Sequence, residues 1–340
     1  MKQKFLIIRF SSIGDIVFTT PVIRCLRKRY ADAEIHFLTK PENKIIVESN
    51  PNIDKVLLLK KSLFETISEL KKEHYTAVID LHKNLRTFAI KQLLFTKNYS
   101  FNKLNLEKEI LIHFHYNLLP QNLHITERNL VAVAALGVED DGEGMDYFIA
   151  PQHKVDIEKL GLVNGNFIAW VIGAKHFTKV LPTEKVIESI RLFQQKIPDR
   201  KVVLLGGRED VAMAENIVSN FTESVVNTCG KFNLSESVSI LNQSKIVISG
   251  DTGLLHIAVA LGKPVVAIFG STVPEFGVFP KYGKFKIQPS AIIEMKDLDC
   301  RPCTKFGRNS CPKGHFLCMK GIESQRIFAA VKNILNDLEK

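Results

Sequence analysis

Residues 245–272 read KIVISGDTGLLHIAVALGKPVVAIFGST. They contain a strand-like apolar run (245–250), a helix that begins near the DTG sequence, and a second strand-like run (264–270). This order favours a parallel βαβ unit in an α/β fold, with helices covering the sheet. The free amides at the start of such a helix attract anions, so the DTG sequence is a candidate diphosphate site.

The same alternation continues along the 340-residue chain, which is long enough for two domains. The other strand-like runs, each followed by a helix-like segment, are 5–10, 34–39, 55–59, 77–81, 166–173, 201–207 and 224–230. The stretch 138–144, rich in glycine and acids, is a candidate linker. We therefore predict two Rossmann-like domains facing each other across a cleft, with the boundaries 1–150 and 151–321, and an amphipathic C-terminal helix over 322–340.

Four polar or small residues of the DTG helix are candidates for binding a phosphate. Asp251 is predicted to cap the helix, while Thr252 and Gly253 supply amides and allow close approach of a ligand. His256 lies one turn further on, where a structural role and a binding role are about equally expected. A nicotinamide dehydrogenase is disfavoured, because no GxGxxG sequence follows the first strand.

The N-terminal sequence RFSSIGDIVFTTP (9–21) predicts a tight turn between the first strand and a helix. Ser11, Ser12 and Gly14 allow this turn at the carboxyl end of the strand. Asp15 has two interpretations, as a helix N-cap or as a general base that takes a proton from a hydroxyl. Spacing alone favours the cap.

The composition is that of a globular protein with a net charge of +10 and 45% apolar residues. No apolar run approaches the roughly 20 residues that span a bilayer, and the first one is short enough for a buried strand. Basic residues dominate 1–128, which suits a phosphate-rich partner or an ordinary solvated surface. No nucleic-acid-binding module is present, so nucleic acid is not an expected partner.

Four of the six cysteines lie close together in the sequence, as Cys300, Cys303, Cys311 and Cys318, with His315 among them. The CxxC spacing of the first pair suits a structural zinc site, but the second pair is spaced more widely than usual. A loop of reduced cysteines is the other interpretation, because a reducing compartment is expected in the absence of a secretion signal.

Three segments together carry a family resemblance: SSIGDIVFTTP (11–21), GAKHFTKVLP (173–182) and GDTGLLHIAVALGKPVVAIFG (250–270). In order and spacing they resemble the lipopolysaccharide heptosyltransferases, glycosyltransferase family nine. The resemblance implies GT-B architecture and inverting transfer of heptose from ADP-heptose to a lipopolysaccharide inner-core acceptor, with no metal or other cofactor required for catalysis. Leu181 departs from the family pattern, in which a tryptophan usually precedes the proline.

The resemblance also implies roles for individual residues. Asp15 matches the proposed catalytic base, and Lys179 matches the lysine that contacts the donor phosphate. The donor-binding positions are Ser12, Gly14, Asp251, Thr252, Gly253 and His256. Lys83 and Arg86 in DLHKNLRT (80–87) match the acceptor side, with Arg128 a weaker candidate, and Glu209 or Asp210 is a candidate for the ribose.

The resemblance further implies a lipid-borne core oligosaccharide as acceptor. We therefore expect a cytoplasmic protein that associates peripherally with the inner face of the cytoplasmic membrane. Two alternatives remain open at this point: a related transferase that uses another nucleotide sugar, and a binding module that keeps the fold without turnover.

Overall fold

The computed structural model describes residues 2–340. Its strands are β1 (Lys4–Ile8), β2 (Glu34–Thr39), β3 (Lys55–Leu58), β4 (Ala77–Asp80), β5 (Lys97–Ser100), β6 (Phe167–Val171), β7 (Lys201–Leu205), β8 (Val225–Asn227), β9 (Ile246–Gly250), β10 (Val265–Phe269) and β11 (Ser290–Glu294). The helices are α1 (Ile13–Val17), α2 (Thr20–Arg29), α3 (Lys44–Val47), α4 (Leu63–Lys71), α5 (Leu85–Leu94), α6 (Asn105–Phe114), α7 (Ile125–Val131), α8 (Thr183–Lys196), α9 (Val211–Val218), α10 (Leu234–Asn242), α11 (Gly253–Ala260), α12 (Leu317–Lys320) and α13 (Ser324–Leu338).

The first compact unit contains the chain up to Lys103 together with Leu123–Phe148 and Tyr282–Lys286. Its sheet has the order β3-β2-β1-β4-β5, and all neighbouring strands are parallel. Residues 5–8 of the central strand β1 are buried, as expected for a parallel sheet covered by helices on both faces.

The second compact unit contains Leu104–Asn122, Ile149–Lys281 and Ile287–Lys340. Its parallel sheet has the order β11-β10-β9-β6-β7-β8. Trp170 of β6 and Ile248 of β9 lie in a large buried apolar cluster of this unit. Helix α13 packs on α8 and contributes Ile327 and Val331 to the same cluster, so the amphipathic C-terminal helix forms part of this unit.

Each strand predicted from the sequence is present, with bounds shifted by at most a few residues. Helix α7 ends at Val131, and a 3₁₀ turn over Ala134–Leu136 follows. Gly137 ends that turn with a φ of +68°, which glycine adopts without strain. Across residues 2–340, no helix has the length and apolar character needed to cross a membrane.

Candidate functional site

The carboxyl end of β9 leads directly into α11 in the second unit. Thr252, in an extended conformation, is the N-cap of α11, and Asp251 precedes it. The prediction that Asp251 caps the helix was therefore wrong, because the helix begins one residue later than expected. The amides at the start of α11 still face away from the helix body, where an anion can accept their hydrogen bonds.

The Asp251 carboxylate is instead the centre of a small polar cluster. Lys179 Nζ lies 2.6 Å from Asp251 Oδ2, and the Thr272 hydroxyl donates to the same oxygen at 2.8 Å. His256 Nε2 lies 3.5 Å from Asp251 Oδ1. The structure thus brings together Lys179, Asp251, Thr252, Gly253 and His256, as predicted, and adds Thr272, which the sequence analysis did not name.

The ionisation of Asp251 follows from these contacts. Burial raises the pKa of the carboxyl, but the charge of Lys179 and the hydrogen bond and charge of His256 outweigh that effect and hold the pKa well below its usual range. Lys179 keeps 15% of its side chain exposed, whereas Asp251 keeps only 7%. The ammonium group of Lys179 is therefore held in place by Asp251, and a ligand can still reach it.

Gly250 explains how the turn that carries Lys179 approaches β9 so closely. Lys179 ends a 3₁₀ turn over Phe177–Lys179, and its carbonyl oxygen would lie 2.6 Å from a Cβ at position 250. Any side chain there would clash with the backbone. Glycine at this strand end is therefore required to bring Lys179 and Asp251 into contact.

In the first unit, Asp15 lies in the first turn of α1, where Ser12 is the N-cap. The Ser12 amide donates to Asp15 Oδ2 at 3.1 Å and the Ser12 hydroxyl donates to the same oxygen at 2.7 Å. The prediction that Asp15 itself caps a helix from about residue 15 was wrong, since α1 begins at Ile13. Gly14 is buried in the same turn.

Arg9 is the partner of Asp15 that the sequence analysis missed. Its Nη2 lies 2.7 Å from Asp15 Oδ1, and its Nε donates to the Ser11 carbonyl at 2.8 Å. The available signal in the sequence was a charged residue near the end of an apolar strand-like run. In the structure Arg9 is only 8% exposed. Burial raises the pKa of Asp15, but the charge of Arg9 and the bonds from Ser12 lower it below its usual value.

Two further titratable side chains, His82 and Lys103, belong to the electrostatic environment of Asp15. Burial, followed by the charges of Arg9 and Lys103, lowers the pKa of His82 to about 4, so the ring is neutral near pH 7. Lys103 is itself partly buried, and burial together with the charge of Arg9 lowers its pKa. These residues were not predicted from the sequence.

The predicted acceptor-side residues follow β4 in the same unit. Lys83 Nζ donates to the Phe101 carbonyl at 3.2 Å, and the exposed Arg86 places its guanidinium 5.9 Å from the ring centre of Phe10. Because Phe10 follows β1 immediately before the Ser11–Asp15 segment, Arg86 lies at the same end of the sheet as Asp15. Arg128 is buried and donates to the Lys103 carbonyl at 3.3 Å.

The two candidates for the ribose lie after β7. Asp210 Oδ2 accepts the Gly207 amide at 2.8 Å, and the same carboxylate lies so close to Gly173 that no Cβ would fit there. Burial raises the pKa of Asp210. Glu209 is exposed. The assignment of either to the ribose stays a prediction.

Two groups of cysteine, histidine and carboxylate side chains in the described part of the chain have ligand atoms close enough to hold a metal. They are Cys25 with Asp140 and Asp141, and Glu34 with His36 and Glu73. Both are paired with cations, since Lys28 contacts Asp141 at 2.8 Å and Lys4 contacts Glu73 at 2.7 Å. These groups are therefore ion-pair networks rather than open coordination sites.

Comparison with known proteins gives a consistent result. The sequence profile of glycosyltransferase family 9 (heptosyltransferase) matches residues 63–309. Lipopolysaccharide heptosyltransferase 1 of Campylobacter coli is 26% identical, over 98% of this chain and 100% of the relative.

Solved structures show the same fold at lower sequence identity. A family 9 glycosyltransferase from Veillonella parvula aligns with a TM-score of 0.79 and 21% identity, covering 99% of this chain and 98% of that one. The E. coli heptosyltransferase WaaC with ADP aligns with a TM-score of 0.69 and 19% identity, covering 97% and 99%. The predicted fold class, α/β with GT-B architecture, is confirmed.

Proposed function

The chain belongs to glycosyltransferase family 9, the heptosyltransferases of lipopolysaccharide biosynthesis, and on that premise we propose that it transfers heptose from ADP-heptose to the inner core of the acceptor. The family resemblance predicted from the sequence is thereby confirmed.

The polar cluster of the second unit supports an ADP-sugar as the donor. Lys179 pairs with Asp251 through one of its three N–H donors, so the other two can bind phosphate oxygens. The amides at Thr252 and Gly253 add hydrogen bonds at the positive end of α11. The related WaaC enzyme binds ADP in its solved structure.

The chemistry that follows is a displacement at the anomeric carbon. The acceptor hydroxyl attacks this carbon, Asp15 takes the hydroxyl proton, and ADP departs with the electrons of the broken bond, which inverts the configuration. Because its pKa is low, Asp15 is ionised at neutral pH and accepts the proton late, when bond formation has made the hydroxyl acidic.

The departing β-phosphate gains charge as the bond breaks. Lys179 and the α11 amides stabilise this charge more strongly in the transition state than in the ground state. A fixed ammonium group and a helix start can supply the positive charge that a divalent cation supplies elsewhere. We therefore propose that catalysis requires no metal or other cofactor.

Donor identity can be tested directly by calorimetry and turnover assays with ADP-heptose, ADP-glucose and UDP-glucose. We expect ADP-heptose to bind most tightly and to be the only donor transferred to a truncated inner-core glycolipid. Lys179→Met serves as the control and should weaken binding of every diphosphate donor. Turnover with UDP-glucose and none with ADP-heptose would contradict the proposed donor while leaving a transferase in place.

We also propose that the protein works in the cytoplasm, on the inner face of the cytoplasmic membrane, because its acceptor carries lipid. The first unit has large apolar side chains exposed around α4 and α5. They include Phe64 at 79%, Leu85 at 88% and Phe95 at 85%. Lys71 lies 6.0 Å from the ring centre of Phe95, so basic and apolar groups occur together, as they do on surfaces that bind anionic bilayers.

The membrane proposal predicts that the variant Phe64→Ser/Phe95→Ser binds vesicles containing anionic lipid more weakly, by about tenfold or more, as measured by co-sedimentation. The matched control is Phe285→Ser, because Phe285 is 76% exposed but belongs to neither α4 nor α5. Equal binding of both variants and the wild type would contradict the proposed surface.

A further inference from the structure

The four clustered cysteines converge on one small cavity in the second unit. Cys300, Cys303, Cys311 and Cys318 line it together with His315, and its volume is about 20 Å³. All six cysteines of the chain are free thiols. A cavity of this size accepts one water molecule or one metal ion, and thiols are an uncommon lining for a water site.

We propose that the thiolates of Cys300, Cys303, Cys311 and Cys318 bind one tetrahedral ion, Zn²⁺ or Fe²⁺. Four sulfur ligands in tetrahedral arrangement favour these metals, and the CxxC pair at 300–303 has the spacing of structural zinc sites. Each thiol releases its proton to solvent as it binds the ion. The site is separate from Asp15 and from the Lys179–Asp251 cluster, so the proposal does not depend on which donor the enzyme uses.

The charge around the cavity suits a thiolate site. Four thiolates and a divalent cation carry a net charge of −2, and Arg301 and Lys313 line the same cavity as counter-charges. Arg301 is held in place by Glu294 at 2.6 Å and by the Gly270 carbonyl at 2.6 Å.

His315 is placed to support the site rather than to bind the ion. Its Nδ1 accepts the Leu317 amide at 3.0 Å, so the proton of the neutral ring resides on Nε2. Nε2 lies 3.8 Å from Cys300 Sγ and is directed to donate to that sulfur. Histidine as a hydrogen-bond donor to a metal-bound thiolate leaves the ligand set entirely sulfur.

The sulfurs are more widely spaced here than in a closed site. Among residues 2–340, no three of these thiols lie within 4.8 Å of one another, whereas zinc–sulfur bonds of about 2.3 Å bring sulfurs closer than that. Only Cys318 lies in a helix, and the other three lie in irregular backbone. Ion binding would therefore draw the segments 300–303 and 311–318 together.

Such a site would fix the position of the loop around Cys303, which supports the Lys179–Asp251 cluster. The Cys303 amide donates to the Ser271 carbonyl at 3.2 Å, and the Ser271 hydroxyl donates to Thr178 Oγ1 at 2.9 Å. Thr178 directly precedes Lys179 in the chain. Thr272 directly follows Ser271, and its hydroxyl donates to Asp251. The ion is thus a positioning element and takes no part in the reaction.

The test is metal analysis of the full-length protein, purified under reducing conditions without chelator and measured by plasma mass spectrometry. We expect about one zinc or iron ion per chain in the wild type and less than about a tenth of that in Cys303→Ser and Cys311→Ser. Cys229→Ala, which removes a buried cysteine outside the cavity, and His315→Ala should both keep the ion.

Wild-type protein without zinc or iron, and without a thiolate-to-cobalt absorption band on Co²⁺ addition, would overturn the proposal, as would full metal content in Cys303→Ser. Loss of the ion in His315→Ala would contradict the all-sulfur ligand set. If the serine variants do not fold, titration of wild-type thiols with a mercurial should release the ion in step with thiol modification, and release without such coupling would count against the site.

Discussion

Asp15→Asn is expected to lower kcat by about 10²–10⁴-fold, the usual contribution of a general base. The amide has nearly the shape of the carboxylate, so Asn Oδ1 can still accept the bonds from Ser12. It cannot take a proton from the acceptor hydroxyl. KM for the donor should change little, because the donor site lies on other residues. The measurement is steady-state transfer from ADP-heptose, with thermal unfolding as the check on folding.

Arg9 provides a test of the same assignment through the pH profile. The charge of Arg9 lowers the pKa of Asp15, and activity is lost as the pH falls through that pKa because the protonated acid is no longer a base. In Arg9→Met the effect of burial dominates, the pKa rises, and the acidic limb moves to higher pH. Arg9→Lys keeps the charge and should leave the limb close to that of the wild type.

These variants also identify the outcome that would exclude Asp15 as the base. Wild-type kcat in a folded Asp15→Asn protein would do so. An unchanged acidic limb in Arg9→Met would show that another group controls the pH dependence. A merely structural role for Asp15 predicts a lower unfolding temperature with no movement of the limb.

The sequence predicted the central strands and two of the four edge strands, β3 and β8, but missed the edge strands β5 and β11. β1 and β6 are central, buried and almost wholly apolar, so their sequences contrast with the glycines and polar residues around them. β5, with the sequence KNYS, lies at a sheet edge and is half exposed, so no apolar run marks it. β11 lies at the edge of the other sheet and was missed for the same reason.

The composition of the compact units could not be read from local sequence. Residues 104–122 group with the second unit because Leu111 and Leu119 pack in one apolar cluster with Val273 and Phe276. These pairs are separated by more than 150 residues, and no local pattern encodes such a contact. The chain passes from the first unit to the second between Phe148 and Ile149.

The residues of the candidate site were predictable where they lie within a family motif. Asp15, Lys179 and the DTG helix start were named from the sequence, and the structure groups the residues of the second unit as expected. Arg9 and Thr272 were not named, because their roles arise from tertiary contacts with Asp15 and Asp251. The partners of a site residue depend on which strand ends lie side by side. The alternation of strands and helices along the sequence does not determine that order.

Lys179→Met should lower kcat by about 10²–10³-fold, the typical cost of removing one donor that stabilises developing charge. The loss should exceed the loss in donor affinity, because the β-phosphate gains charge only as the bond breaks. The variant also leaves Asp251 without its cation, and breaking such a buried pair destabilises a protein by about 3–5 kcal/mol. Lower stability alone could therefore reduce activity, and the two effects need to be separated.

The double variant Lys179→Met/Asp251→Asn separates them. A neutral amide at 251 needs no cation and can still accept the Thr272 hydroxyl, so the unfolding temperature should recover most of the loss seen in Lys179→Met. If Lys179 contacts the departing phosphate, kcat stays low in the double variant although the fold is restored. If Lys179 serves only to neutralise Asp251, kcat returns together with stability, and the role assigned to Lys179 is wrong. Comparing kcat with the unfolding temperature across the three proteins therefore decides whether this ammonium group acts on the substrate or on its neighbour.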